Sequence, residues 1–279
     1  MAVRANGKND IKTSVTTSML DLSGETRIHL IVGDPIAQAK SPGGLTQEFA
    51  RRGVDAVCIP MQVAVADLDG FMAAIKRVRN IDGIVVTVPH KLAAPRHCET
   101  LSERARRLGA VNAMRREPDG RWFGDMTDGV ALVAALRHAG CEPKGRRGLV
   151  VGVGGAGSAV ALALAEAGAR VAVHDIDAAR RDDLRGRLAA FDIAAGSADP
   201  SGFDLVVNAT PLGMAPGDPL PVDADRLAPR ALVADLVTKP AVTPLLEAAR
   251  SRGAVIVTGA DMFAPQAGIL ADFLLHAGA

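Results

Sequence analysis

The residues at 152–157 have the glycine spacing of a phosphate-binding loop. They read Gly-Val-Gly-Gly-Ala-Gly, follow the apolar run 148–151, and precede a helical pattern that begins near Ser158. The first glycine permits a tight turn, the second lets the backbone approach a pyrophosphate, and the last allows close helix–strand packing. The following helix N-terminus offers free N–H groups to an anion. A plain turn is the alternative, but this context favours a dinucleotide loop formed by Gly152, Gly154, Gly155, Ala156 and Gly157.

Asp175 lies at the end of the next predicted strand, about 20 residues beyond the glycine loop. A carboxylate at that strand end can accept hydrogen bonds from both ribose hydroxyls of NAD, and it would repel a 2′-phosphate. Arg180 and Arg181 could instead serve NADP, although they fall inside a helical pattern. A helix N-cap is the structural alternative for Asp175. The pattern favours NAD as the cofactor and leaves NADP open.

Lys91 and Asp128 have the side-chain types needed to handle a proton at a hydroxyl or a ketone. An ammonium near a carbonyl stabilises developing negative charge on oxygen and can supply the proton. A carboxylate within hydrogen-bond reach would hold the ammonium in place. Lys91 follows a short strand and Thr-Val-Pro, at a strand end where α/β sites gather, and Asp128 precedes a helix. A solvated lysine and a simple N-cap are the alternatives.

The elements that must position these residues alternate between short apolar runs and helical patterns. Several runs are continuous Val, Ile and Leu, which is typical of parallel strands covered on both faces. The alternation therefore predicts α/β units with right-handed crossovers. The predicted strands are 28–32, 54–60, 83–88, 148–151, 170–174, 204–208, 231–236 and 254–257, and the predicted helices are 42–52, 65–79, 129–139, 158–167, 243–252 and 261–276.

The polar Pro/Gly segment 141–147 separates two such series, so we expect two domains. The residues predict an N-terminal α/β domain and a C-terminal α/β domain that holds the glycine loop, and the helix at 129–139 could belong to either. The last helix, within 260–279, is expected to return to the first domain. Residues 1–26 are expected to form a polar extension.

Bulk composition narrows the range of functions. The net charge is +1 and the aromatic content is 3%, so a nucleic-acid surface or base-stacking platform is not expected. No stretch is apolar enough to span a bilayer, and no secretory signal is evident. Cys58, Cys98 and Cys141 are widely spaced, which predicts free thiols in a cytoplasmic protein and no metal site. A small-molecule substrate is expected, and a homodimer is left open.

A set of ordered motifs resembles the shikimate dehydrogenase family from about residue 27 to residue 273. The motifs are GDPIAQAKSP at 33–42, VVTVPHK at 85–91, GAVNAM at 109–114, GDMTDG at 124–129, the glycine loop, NATPLGM at 208–214, DLVTKPAVTP at 235–244, and Gln266. The resemblance implies an N-terminal α/β substrate domain at 27–128, to which 260–279 returns, and a C-terminal Rossmann-type cofactor domain at 129–259. It also implies reversible, NAD(P)-dependent reduction of 3-dehydroshikimate to shikimate, or the corresponding reaction of quinate.

The resemblance also implies roles for individual residues. The proton-handling pair of the family matches Lys91 and Asp128, and one carboxylate-binding serine matches Ser41. The remaining implied substrate contacts are Thr87, Asn112, Thr238 and Gln266. Asn208 and Thr210 are implied beside the nicotinamide half of the cofactor, whereas Met214 and Met262 either line that pocket or fill the core.

Departures from the family pattern cluster in the implied substrate pocket. Ala39 replaces a serine that would grip the substrate carboxylate, and Thr238 replaces a tyrosine. Val85 and Met126 stand where the family usually has asparagine. Gln38 and Lys40 could compensate, although a solvated Lys40 is the alternative. An altered pocket suggests a paralogue acting on a related cyclic hydroxy acid.

Two other functions stay open at this point. One is a dehydrogenase with a different substrate on the same plan, such as a methylene-tetrahydrofolate dehydrogenase, which the motif at 33–42 and the Thr87, Lys91 and Asp128 set disfavour. The other is a dinucleotide-binding sensor without turnover, which the presence of both Lys91 and Asp128 disfavours.

Overall fold

The computed structural model describes residues 22–37, 39 and 41–276 as two sheets covered by helices. The first sheet has six strands in the order β2-β1-β3-β5-β6-β4. Strand β1 runs parallel to β2 and β3, whereas β5 is antiparallel to both β3 and β6. Its strands are β1 (Arg27–Gly33), β2 (Ala56–Gln62), β3 (Ile81–Val86), β4 (Thr100–Leu101), β5 (Ala113–Arg116) and β6 (Trp122–Asp125), and its helices are α1 (Ser41–Arg51), α2 (Leu68–Ile75), α3 (Glu103–Leu108) and α4 (Asp128–His138).

The second sheet is parallel throughout, with strand order β12-β11-β10-β7-β8-β9. Its central strands are buried on both faces, as their continuous Val and Leu runs predict. The elements are β7 (Arg147–Val151), α5 (Gly155–Glu166), β8 (Arg170–His174), α6 (Ala178–Arg187), β9 (Ala194–Ala195), β10 (Leu205–Asn208), β11 (Leu232–Asp235), α7 (Pro244–Ser251) and β12 (Val255–Val257). The α/β class predicted from the sequence is confirmed.

The first sheet departs from the prediction in being mixed rather than parallel. Strands β5 and β6 form an antiparallel hairpin that the sequence analysis missed, because each has only four residues and lacks a continuous apolar run. The predicted strand at 54–60 is shifted to Ala56–Gln62. The predicted helix at 65–79 divides into a 3-10 turn at Val65–Asp67 and the shorter α2.

The last helix, α8 (Gly259–Leu274), packs on the first sheet. Leu270 and Leu274 share a buried apolar cluster with Leu45 and Phe49 of α1. An ion pair of 2.7 Å between Arg52, the residue after α1, and Asp272 of α8 adds to this contact. The chain therefore returns to its first sheet after completing the second, as predicted, while the boundaries at 27–128 and 129–259 stay a prediction.

Helix α4 packs closely against α5, the helix that follows the glycine loop. A Cβ atom on Gly129, near the start of α4, would collide with the backbone carbonyl of Ala159 in α5. Only a glycine allows the two helix backbones to approach this closely. The helix that begins with Asp128 is thus fixed against the helix that begins at the glycine loop.

Candidate active site

A cavity of about 230 Å³ lies among the carboxyl ends of the first-sheet strands, the start of α5 and the face of α8. That volume suits one small ring rather than a drug-sized ligand. The predicted site residues that line it are Ser41, Thr87, Lys91, Asn112, Asp128, Ala156, Thr238, Met262 and Gln266. Segments far apart in the sequence therefore meet at one site.

Lys91 and Asp128 form an ion pair inside this cavity. Lys91 Nζ lies 2.6 Å from Asp128 Oδ2, with side-chain exposures of 16% and 3%. The other carboxylate oxygen accepts hydrogen bonds from Asn112 Nδ2 at 2.6 Å and Gln266 Nε2 at 3.1 Å. Asp128 is the first residue of α4, and these bonds go to side chains, so the simple N-cap alternative does not describe it. The ammonium is held with its free donor positions beside the cavity.

Asn112 is itself fixed by Thr127, a residue that the sequence analysis did not assign to the site. The amide oxygen of Asn112 accepts a hydrogen bond from Thr127 N at 2.8 Å, and its Nδ2 donates to Thr127 Oγ1 at 3.1 Å. Asn112, Thr127 and Asp128 are all buried. Thr127 stands directly before Asp128 in the GDMTDG motif, and that position was the only indication in the sequence that Thr127 belongs to the site. The network fixes the orientation of the amide and of the carboxylate it contacts.

The glycine loop has the geometry that its spacing predicts. Gly152 adopts φ of 89°, and a side chain there would collide with Thr210 and Ala209. A Cβ on Gly157 would collide with the carbonyl oxygen of Gly152. Among the residues that the structure describes, none beyond the chain neighbours of Gly154 comes within 4 Å of its Cβ position, so the backbone there is open to a phosphate. These features fit a dinucleotide pyrophosphate at the N-terminus of α5.

Lys91 also touches the start of the phosphate-binding helix. A Cβ placed on Gly155 would lie 3.7 Å from both Cβ and Cδ of Lys91. The stem of the lysine therefore runs along the first turn of α5 while its ammonium reaches Asp128. The Lys91–Asp128 pair and the glycine loop border the same space.

Asp175 lies at the end of β8, as predicted, but its carboxylate supports the neighbouring backbone. Its oxygens accept hydrogen bonds from Val153 N at 2.8 Å and Asp177 N at 2.9 Å. The N-cap of α6 is Asp177, not Asp175. Arg180 lies 4.0 Å from Asp175 and 3.8 Å from Asp177. Ile176 between the two aspartates is fully exposed.

Asn208 and Thr210 form a bonded turn after β10. Asn208 Oδ1 accepts hydrogen bonds from Thr210 N at 3.0 Å and Thr210 Oγ1 at 2.6 Å. Thr210 in turn packs over Gly152, so this turn lies beside the phosphate loop. Of the two methionines, Met262 lines the cavity, whereas Met214 is exposed and is not among its lining residues.

The departures from the family pattern lie in the cavity wall, with one exception. Ala39, Val85 and Thr238 all line the cavity, whereas Met126 is buried in the core. The proposed compensating residues, Gln38 and Lys40, lie outside the described residues. The described part of the chain contains no cluster of three metal-ligating side chains and no helix long and apolar enough to cross a membrane.

Comparison with known proteins gives a consistent result. Residues 31–114 match the model of the shikimate dehydrogenase substrate binding domain. A shikimate dehydrogenase (NADP(+)) of Acidiphilium cryptum is 40% identical over 248 residues, which is 88% of this chain and 89% of that protein. The Thermus thermophilus shikimate 5-dehydrogenase, solved with NADP(H) and shikimate, has a TM-score of 0.82 and 30% identity, covering 90% of this chain and 94% of that one. A quinate dehydrogenase from Corynebacterium glutamicum, solved with NAD, has a TM-score of 0.80 and 26% identity, covering 90% and 94%.

Proposed function

The chain belongs to the shikimate dehydrogenase family, and on that premise we propose that it oxidises shikimate to 3-dehydroshikimate reversibly, using a nicotinamide dinucleotide. A closely related cyclic hydroxy acid such as quinate fits the same proposal. The observation that carries it is the Lys91–Asp128 ion pair of 2.6 Å in a cavity that borders the phosphate loop. A pair of this kind is what an alcohol–ketone interconversion needs at oxygen.

The proposed mechanism divides the work between cofactor and chain. A bound nicotinamide dinucleotide supplies or accepts the hydride. In the reducing direction Lys91 Nζ donates a proton to the ketone oxygen and stabilises the negative charge that develops there. In the oxidising direction the same nitrogen starts as the neutral amine and accepts the proton from the substrate hydroxyl. Asp128, held by Asn112 and Gln266, keeps the lysine at the reacting oxygen.

The proposed substrate contacts come from polar side chains in the rest of the cavity wall. The hydroxyl groups of Ser41, Thr87 and Thr238 and the amides of Asn112 and Gln266 line the cavity. Ser41 begins α1, so the substrate carboxylate would also meet a helix N-terminus. Ala39 offers no donor, which weakens the binding of that carboxylate relative to a serine.

An initial-rate matrix tests this function. Shikimate, quinate and related hydroxy acids are each assayed with NAD and with NADP, using the full-length chain. Turnover of shikimate or quinate with either cofactor supports the proposal. Cofactor binding without turnover of any acid would contradict it and would favour a sensor.

Within the dinucleotide class we propose a preference for NAD, although the A. cryptum relative is named as an NADP(+) enzyme. Asp175 and Asp177 put two carboxylates at the end of β8, where they repel a 2′-phosphate, and the exposed Ile176 between them offers no positive charge. Arg180, the cation near both carboxylates, is the residue on which binding of NADP would depend.

Cofactor specificity constants test the preference. We expect kcat/KM for NAD to exceed that for NADP by about tenfold or more, which corresponds to about 1.4 kcal/mol. The double substitution Ile176→Arg with Asp177→Ser should narrow or reverse the ratio, because it adds a cation, removes an anion and keeps a capping hydroxyl. Arg180→Ala should lower kcat/KM for NADP further and leave turnover with NAD unchanged. A wild-type preference for NADP would refute the proposal.

A further inference from the structure

Asp235 is a buried carboxylate that the mechanism above does not use. It ends β11 with 1% of its surface exposed. Its oxygens accept hydrogen bonds from Asn208 Nδ2 and Val237 N, both at 3.0 Å, and from Thr243 Oγ1 at 2.7 Å. Burial raises the pKa of this carboxyl, while the three bonds oppose that rise. A buried carboxylate satisfied by these neutral donors is costly to maintain, which suggests a specific task.

The bond to Asn208 helps to determine which way that amide faces. Asn208 Nδ2 donates to Asp235 at 3.0 Å and to the carbonyl oxygen of Leu212 at 3.1 Å, and an ionised carboxylate can only accept. Its Oδ1 is then left to accept from the backbone and hydroxyl of Thr210. Thr210 packs over Gly152 of the phosphate loop. Through the amide of Asn208, Asp235 therefore orients the turn of Asn208 and Thr210, which lies beside the phosphate loop.

The bond to Val237 holds a segment that lines the substrate cavity. Leu236 and Thr238, the neighbours of Val237, both line the substrate cavity. A Cβ on Gly259, the first residue of α8, would collide with the carbonyl of Val237. Helix α8 carries Gln266 to the catalytic carboxylate. The same buried carboxylate thus fixes part of the substrate-cavity wall.

We propose that Asp235 is a positioning residue. It aligns the turn containing Thr210 with the part of the cavity wall containing Thr238, so that a nicotinamide ring and the substrate are correctly placed relative to each other. The role rests on the proposed function, because it assumes that the nicotinamide half of a dinucleotide enters between these two segments. It acts through its neighbours, without itself contacting the reacting atoms. It should therefore affect the nicotinamide half of the cofactor and leave the ADP half unaffected.

Asp235→Asn tests the role with an isosteric change. The oxygen that accepts from Asn208 and Val237 stays in place, while an NH₂ replaces the oxygen that accepts from Thr243. The charge is removed, so the bonds that position Asn208 and Val237 become weaker neutral ones. We expect NADH affinity and kcat/KM to fall about tenfold each, the value of one hydrogen bond to a charged group. Affinity for ADP-ribose, which lacks the nicotinamide ring, should change less than about twofold. Asp204→Asn is the matched control, because Asp204 bonds Arg147 N at the opposite end of β10.

A second variant keeps the test decisive if Asp235→Asn folds poorly. Thr210→Val removes the hydroxyl that donates a hydrogen bond to Asn208 Oδ1. It should also lower the affinity for NADH while leaving the affinity for ADP-ribose nearly unchanged. Combined with Asp235→Asn, it should add little, since both changes act through Asn208. Equal losses of NADH and ADP-ribose affinity, or additive losses in the double variant, would overturn the proposal. The binding measurements need no turnover, so they distinguish this failure from a failure of the proposed function.

Discussion

Lys91→Met is the sharpest test of the proton-handling pair. Methionine keeps the apolar stem that runs along the first turn of α5 and removes only the ammonium. Asp128 then stays buried without its cation, with the amides of Asn112 and Gln266 still donating to it. The change therefore separates proton transfer from cofactor binding more cleanly than Lys91→Ala, which also removes the stem.

The structure sets two magnitudes for this variant. Loss of a positioned acid–base group lowers kcat by about 10²- to 10⁴-fold, or about 3–5 kcal/mol of transition-state free energy. Removing one partner of a buried pair destabilises the fold by about 3–5 kcal/mol. Because the side chain of Asp128 is only 3% exposed but keeps two amide donors, we expect the lower end of that range.

The assay combines steady-state rates, NADH affinity by fluorescence and urea unfolding. Lys76→Met is the matched control, because Lys76 forms a more exposed ion pair with Glu99 at 2.9 Å. That variant should keep wild-type kcat and lose at most about 1 kcal/mol of stability. If Lys91→Met kept kcat within about tenfold of wild type, or lost NADH affinity as steeply as rate, the assignment of Lys91 would be wrong.

Three further outcomes follow from the geometry. Ala39→Ser should raise kcat/KM for shikimate about tenfold by restoring a donor for the carboxylate, whereas Ala39→Cys, similar in size but a weak donor, should not. Gly157→Ala should cost about 1–3 kcal/mol of stability because its Cβ collides with Gly152, while Gly154→Ala should keep the melting temperature and lose cofactor affinity. Burial lowers the pKa of His29 to about 4. Below about pH 6.5 the histidine therefore binds a proton in the unfolded chain but stays neutral in the folded chain. Stability should therefore fall by up to about 3 kcal/mol as pH drops from 6.5 to 4, and His29→Leu should flatten that dependence in urea titrations; an unchanged slope would contradict it.

The glycine loop and the α/β class could be predicted because each depends on residues that are contiguous in the sequence. A strand, a turn with fixed glycine spacing and a helix follow one another, and Gly152 needs its positive φ wherever the fold places it. Lys91 and Asp128 have suitable chemistry, but their contact depends on how strands and helices from distant segments pack. Periodicity alone could not supply that distance, so the family resemblance was needed to pair them.

The parts that the sequence did not yield depend on nonlocal hydrogen bonds. Asp175 looked like a free ribose ligand, yet its oxygens also hold the backbone of Val153 and Asp177. Thr127 and Asp235 were visible within motifs, but nothing local indicated that each bonds an asparagine amide from another motif. Four-residue strands such as β5 were missed because a pattern that short carries little periodic signal.

The close contact of Gly129 with Ala159 has a consequence for recombining this protein with its relatives. Because α4 and α5 are matched backbone to backbone, they behave as one unit, although they lie on either side of the polar segment 141–147. A chimera joined at that segment would pair an α4 from one parent with an α5 from another, and any residue larger than glycine at position 129 would separate the helices. A crossover placed before α4 keeps both helices from one parent and should give folded hybrids, so the best recombination point does not coincide with the polar segment between the two sheets.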